Sequence, residues 1–515
     1  MYWRATIACL VLAHGLPPFG GGHALAQGFN RRYDVLGQGF QENSWAIERA
    51  GNGFLAIGTT PYITSDSLYY NPVFYTLLLD QAGAVLGSDT FFYEAHATAP
   101  GTWNCTARRM NGGYVSGGGT LSQTETGRHA LWLVDPGGHV DLVTEFGGEG
   151  QFNTSRQAIE CKNGDFLLVG ETDSTGTIDA SLVRTDSAGV VLWSRTYGGP
   201  YFDSGWSVDT TADDGFFVGG QYGYSMSGPY ARQWVLRVDA QGDTLWQRIW
   251  GDGLGHQNAR LTTKANGDPI VAGGTTLVEY EDHFCYLSEL AAEDGAVLWE
   301  RHYDNAGFDM VLHIAKEVAP GAGHIAVGNA IDNEQGHDKG VMLRTMDNGD
   351  SLWLRTFVYQ DTVMSNGKGF LYDVVPTLDG GFIACGPTYG EPGSPYPPGY
   401  SQDVWVVKVD SLGCIEPGCN IPMGITTQIT NLKGALSLAP NPAHGQCTVQ
   451  VDLPLALRSE QLRLVVVSAQ GQLVREVKVV QGRNTVDLST LVPGLYHMHL
   501  ANRDTWLAGA KLIME

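Results

Sequence analysis

The sequence lacks any apolar run of about 18 residues, so no transmembrane helix is expected. It also lacks an excess of positive charge: 31 Lys and Arg stand against 54 Asp and Glu, for a net charge of −23. That balance excludes the basic footprint of a nucleic-acid binder, and no nucleic-acid partner is expected. Charge of either sign is scarce, at 17% of residues, against about a quarter in an ordinary globular chain. Catalytic signatures are missing too. There is no G-x-S-x-G elbow, no H-E-x-x-H and no phosphate-cradling loop. Calcium loops of the D-x-D-x-D-G kind do not occur. No metal and no cofactor is therefore expected.

Glycine is abundant, with 68 residues, alongside 13 Trp and 22 Tyr. This composition suits an extracellular all-β protein, and a length of 515 residues allows two to four domains. The first 26 residues read as a secretory signal peptide. Arg4 gives the positive end, ATIACLVLA (5–13) the apolar stretch, and Ala24-Leu25-Ala26 the cleavage site. Among the eight cysteines, Cys414 and Cys419 bracket a Pro-Gly turn, which predicts a local disulfide in an exported chain. Cys285 and Cys385 lie in apolar strand patterns and are expected as buried thiols.

Internal repetition is the strongest signal. Seven segments each carry an apolar run ending in Gly, a loop, a second apolar run ending near Asp, a Gly turn and a further strand. Phe54, Phe166, Phe216 and Phe382 open four of the first runs. Asp80, Asp135, Asp186, Asp239 and Asp410 each stand three residues before a turn Gly, as an Asp-initiated type I turn requires. Trp-x-Arg follows that Gly at Trp193/Arg195, Trp246/Arg248, Trp299/Arg301 and Trp353/Arg355. Residues i and i+2 share a strand face, so these pairs are expected to pack between repeats. Four short strands per repeat predict a seven-bladed β-propeller over 27–419. The last repeat lacks its final strand. Phe29, Arg31 and Tyr33 align with Trp193, Arg195 and Tyr197, so strand 29–35 is expected to complete the last blade and hide an edge.

A polar, Thr-rich stretch at 420–433 reads as a linker. Beyond it, 434–515 reads as a small immunoglobulin-like β-sandwich. Residues 431–515 carry a net charge of +2 and the remainder −25, a charge step that supports a boundary. His497 and His499 on one strand read as a surface coincidence. The tail resembles the type A C-terminal sorting domain of the type IX secretion system of Bacteroidetes-type bacteria. The matching residues are Pro440-Asn441-Pro442, the Gly471 turn after VVVS, Gly494-Leu495-Tyr496 and Lys511-Leu512-Ile513. The resemblance implies handling by the type IX machinery and release or attachment at the outer-membrane surface, after loss of the signal peptide and the tail.

The propeller turns also resemble, more loosely, those of quinoprotein dehydrogenase propellers, with one residue fewer between Asp and Gly.

In a propeller, the loops entering the inner strands and the loops between second and third strands share one face. Here the latter hold Tyr62, Tyr69, Tyr70, Tyr222, Tyr224, Tyr230, Tyr389, Tyr396 and Tyr400. The entering loops add Asp203, Asp252, His256, Asn258, Asp304 and Asp309, with Glu42, Asn43, Asn153 and Asp361. Aromatic faces stack on sugars or anchor protein contacts. A non-catalytic binding or adhesion module for a glycan or surface protein is the expected role. A polysaccharide-active hydrolase or lyase is the alternative, and a purely structural surface component is a third.

Overall fold

The turn chemistry organises the computed structural model. It describes residues 28–35, 42–62, 71–93, 96–122, 127–148, 150–225, 231–251, 258–276, 283–303, 308–332, 337–359, 368–389, 402–416, 428–430, 434–453, 462–468, 473–502 and 505–515. The signal-peptide residues 1–26 lie outside these. Asp80 Oδ1 accepts the amides of Ala82 and Ala84, at 2.8 and 2.7 Å. Asp135, Asp186, Asp239 and Asp410 each repeat this double acceptance. The following glycines sit at φ between 77° (Gly83) and 91° (Gly138), a region where a side chain is strained.

Between these turns the apolar runs form antiparallel strands. Among the described residues they make seven four-stranded units, two of them with a broken inner strand. From the axis outward, these sheets begin on Asn43–Ala50, His96–Pro100 with Thr106–Arg108, Asn153–Glu160, Phe202–Thr210, Asn258–Thr263, Phe308–Glu317, and Lys368–Gly369 with Asp373–Pro376. We number them 1 to 7 in that order.

Consecutive sheets pack face to face, each pair with its own buried core. Phe217 and Val235 of sheet 4 meet Leu261 and Tyr286 of sheet 5. Ile383 and Cys385 of sheet 7 meet Ile47, Phe54 and Tyr75 of sheet 1. The last core closes the series into a ring, and the fold is an all-β propeller. Phe29–Tyr33 is the outer strand of sheet 7, antiparallel to Gln402–Val409, with Phe29 opposite Lys408 and Tyr33 opposite Val404. Cys414 is disulfide-bonded, and Cys419 lies outside the described residues. Cys285 and Cys385 are buried in the strand cores.

Several outer strands clasp the next turn. A Cβ added to Gly242 would meet Arg195 and Trp193, and one added to Gly349 would meet Trp299 and Arg301. The Tyr197 hydroxyl donates to the Gly242 carbonyl at 2.6 Å, and Tyr303 to Gly349 at 2.6 Å. At the closing seam Tyr33 donates to Gly83 at 2.7 Å and Arg31 to the same carbonyl at 2.8 Å.

The C-terminal unit is a sandwich. One layer holds Leu436–His444, Gln446–Val451 and Gly482–Asp487, and the other holds Leu462–Ser468, Leu473–Lys478, Gly494–Asn502 and Thr505–Met514. Val449, Val466, Met498 and Leu512 fill the space between them. His497 and His499 are not surface residues. Both are 3% exposed, because the outer face of their strand is covered, and Glu416 Oε2 lies 3.8 Å from His497 Nδ1. The stretch read as a linker contributes a strand, Gln428–Thr430, which runs parallel to Ser351–Val358. Its Thr-rich sequence suits pairing with the open edge of sheet 6.

Candidate functional site

The inner strands bring one large side chain from each sheet to the axis: Trp45, Trp103, Arg156, Trp206, Arg260, His313 and Tyr372. Local irregularities turn most of them out of the ladder. Pairing skips Trp45, Arg156, Trp206 and His313, each an extra residue in its strand. Trp103 and Asn104, at φ of 45° and 60°, interrupt the inner strand of sheet 2. Tyr372 falls in the break in sheet 7, whereas Arg260 stays in register opposite Ala272.

Contacts among these residues skip sheets, which happens only at the centre of a ring. Trp103 of sheet 2 stacks on Trp206 of sheet 4, with centroids 5.0 Å apart, and on His313 of sheet 6 at 5.6 Å. Trp45 stacks on Tyr372 at 5.2 Å. The Arg260 guanidinium lies 4.1 Å from the Trp103 ring centroid and 4.4 Å from that of Trp206. Arg156 is held by both oxygens of Glu171, at 2.9 and 3.1 Å. Burial, then Arg260, push the His313 pKa down to about 3, so its imidazole is neutral. Its Nε2 meets Asn329 Oδ1 at 2.9 Å, which leaves Nδ1 as an acceptor.

Just beyond the ring is an ionic layer. Lys316 pairs with the fully buried Asp373 at 2.8 Å. Asp373 and Glu48 keep Lys316 charged against the cost of burial. Burial raises the Glu48 pKa to about 7. Polar side chains here tie one inner strand to the next. Gln157 accepts the amide of Val208 at 2.8 Å, Ser207 that of Leu261 at 2.9 Å, and Asp373 that of Ile47 at 3.0 Å.

At the mouth, sheet 4 brings together three of the expected residues. Asp203 is fully buried and accepts the amides of Gly199 and Gly223, at 2.6 and 2.7 Å. Burial raises its pKa and nearby Asp179 adds to that, while the two amides oppose it. Asp179 is engaged by Thr175 and Thr177. Tyr222 packs on Trp234, with centroids 5.5 Å apart, and lies under Arg232. Tyr224 contacts Phe202 at 6.1 Å. Tyr62, Tyr389, Asn258 and Asp309 fall within strands. Tyr69, Tyr70, Tyr230, Tyr396, Tyr400, Asp252, His256, Asp304 and Asp361 lie outside the described residues.

At the closing seam Asp34, Glu42 and Asp403 bring carboxylate oxygens within 4.8 Å of one another. This is the grouping among the described residues that could hold a cation. Arg32 pairs with Asp403 at 3.2 Å, and Val35 N–H and Thr60 Oγ1 donate to Glu42. On the opposite end, where the tight turns lie, Trp299, Leu298, Met346 and Asp347 line an open groove of about 640 Å³ between sheets 5 and 6.

In the tail, Asn441 between Pro440 and Pro442 clamps the last strand. Its Nδ2 donates to Lys511 O at 2.7 Å, and its Oδ1 accepts the amide of Ile513 at 2.8 Å. The Tyr496 hydroxyl donates to Val492 O at 2.8 Å, two residues before Gly494. Gly471 lies outside the described residues.

Residues 437–515 match the family of secretion system C-terminal sorting domains. The chain is a β-propeller protein carrying a type IX sorting tail, and the tail assigns it to export and to the cell surface or the medium. No described helix is long and apolar enough to cross a membrane. A comparison with characterised proteins gives no match. Among solved structures, the propeller domain of the Trilobed protease from Pyrococcus furiosus is 8% identical, with a TM-score of 0.39, over 75% of this chain and 96% of that one. An α-L-arabinofuranosidase from Fusarium graminearum is 9% identical, with a TM-score of 0.38, over 73% of this chain and 95% of that one. The polysaccharide lyase Uly1 is 10% identical, with a TM-score of 0.40, over 75% of this chain and 98% of that one.

The axial ring is absent from the sequence expectation. One signal for it exists. Arg156, Trp206, Arg260 and Tyr372 each stand ten residues before the first residue of the following apolar run, at Phe166, Phe216, Ile270 and Phe382.

Proposed function

We propose that the chain is an exported, non-catalytic binding or adhesion module that takes a glycan or surface protein on the mouth face of its propeller. In this reading residues 1–26 are the leader, 27–419 the working propeller, 420–433 the connection and 434–515 the sorting domain. The observation that carries it is how the mouth carboxylates are used. Asp203 is bound to two backbone amides and Asp179 to two threonines. Acid–base cleavage of a glycosidic bond needs carboxyl groups facing the substrate. Beside this pair is an exposed aromatic surface, Tyr201 at 44%, with Tyr224 and Phe202 in contact. Rings of this kind stack on sugar faces or anchor a protein partner.

One observation favours the hydrolase or lyase reading. Asp179 and Asp203 flank Gly198, and Asp203 is raised in pKa, as a general acid would be. The full chain, screened on a glycan and polysaccharide panel for binding and for product release, separates the two. Binding without turnover, weakened about tenfold or more in Tyr201→Ala/Tyr224→Ala, is the expected result. Turnover lost in Asp203→Asn would replace binding with catalysis.

A further inference from the structure

We propose that the propeller axis is an anion site, which takes a small planar carboxylate on the Nε–Nη2 edge of Arg260. The charge and the N–H groups of this guanidinium are treated differently. Trp103 and Trp206 lie 4.1 and 4.4 Å from it and stabilise its charge through their π-faces. Contact of the guanidinium carbon with aromatic rings gives its N–H groups no hydrogen-bond acceptor. Nη1 reaches only the His313 carbonyl, at 3.5 Å. Among the described residues, Nε and Nη2 are buried and meet no acceptor. Those two nitrogens form one side of the fork that matches both oxygens of a carboxylate.

The surroundings point the same way. Trp103 Nε1 and Trp206 Nε1 are also buried donors with no acceptor. The one unpartnered acceptor in the cluster, His313 Nδ1, cannot serve four donors. Glu171 is committed to Arg156. Among the described residues the ionisable groups recorded against Arg260 are Arg156, the His313 imidazole and the Tyr372 phenol, none of them a carboxylate. A buried cation with no counter-charge is costly, and a bound anion removes that cost. Arg260 is 1% exposed, which favours a free ion such as formate or acetate over a carboxylate on a large ligand. The site is independent of whether the mouth face binds a glycan.

The test is titration of the full chain with sodium formate at constant ionic strength, read by tryptophan fluorescence, with chloride as the spherical comparison. A saturable change with formate, weaker with chloride, is expected. Arg260→Lys keeps the charge but loses the fork and should bind formate at least about tenfold more weakly. Arg260→Met should show no response while keeping its circular dichroism spectrum. A crystal soaked in formate should hold the ion on Nε and Nη2. No saturation, an unchanged response in Arg260→Lys, or waters alone on that edge would overturn the proposal. If Arg260→Met fails to fold, Arg260→Lys and the soaked crystal still decide.

Discussion

The rim and the axis of the propeller are built from the same repeats but obey different rules. At the rim, one device recurs at four seams: a tryptophan and an arginine on the outer strand rest on the next turn glycine. Trp193 and Arg195 meet Gly242, and Trp299 and Arg301 meet Gly349. At the closing seam Phe29 and Tyr33 meet Gly83 in the same way, although they come from the other end of the chain. At the axis the seven equivalent positions hold Trp, Trp, Arg, Trp, Arg, His and Tyr. Repetition marks the architecture. Divergence marks the place where each repeat does something of its own.

The largest break in this comparison is at the closing seam. Phe29→Ala should lower stability by about 3 kcal/mol, read from the urea midpoint, because Phe29 is buried in the core shared by sheets 7 and 1. A full-stability Phe29→Ala protein would mean that the seam is closed by something other than this strand. Gly349→Ala should cost about 2 kcal/mol. Its φ is 83°, and an added Cβ would lie 2.5 Å from the Trp299 ring. A thermal melt unchanged from wild type would remove the close approach from the account.

A pH experiment separates the axis from the rim. His313 has a folded pKa of about 3, below the ordinary 6.5. The unfolded chain therefore takes the proton first, and stability falls as the pH drops from 6.5 towards 3. The loss should reach about 2 kcal/mol by pH 5. His313→Gln should flatten that part of the stability profile, and an equal slope in both proteins would contradict the buried neutral imidazole. The smallest effect belongs to Tyr33→Phe. It removes the 2.7 Å bond to Gly83 O and should cost about 1 kcal/mol in the same urea assay.

What the sequence reveals follows the same division. The Asp and Gly of the turns, the Trp-x-Arg pairs and the Phe29/Arg31/Tyr33 alignment are legible because a shared local geometry brings the same residues back in most repeats. The sorting tail is legible because Asn441 must bind the backbone of Lys511 and Ile513. The axial ring is not. Trp45, Arg156, Trp206 and His313 reach the axis through irregular pairing with a neighbouring strand, and no periodicity within one strand encodes that. The expected exposure of His497 and His499 failed for a related reason. Their strand alternates as a half-exposed strand would, but its outer face is covered.

The most direct test of the division between rim and axis is one set of thermal melts, with and without formate, on the wild type, Trp193→Leu and Trp206→Leu. The account predicts that Trp193→Leu melts lower yet keeps the full formate-induced rise in Tm. Trp206→Leu, which loses a ring that stabilises the Arg260 charge, should also melt lower but lose that rise. The reverse pattern, or an equal formate response in all three proteins, would contradict it.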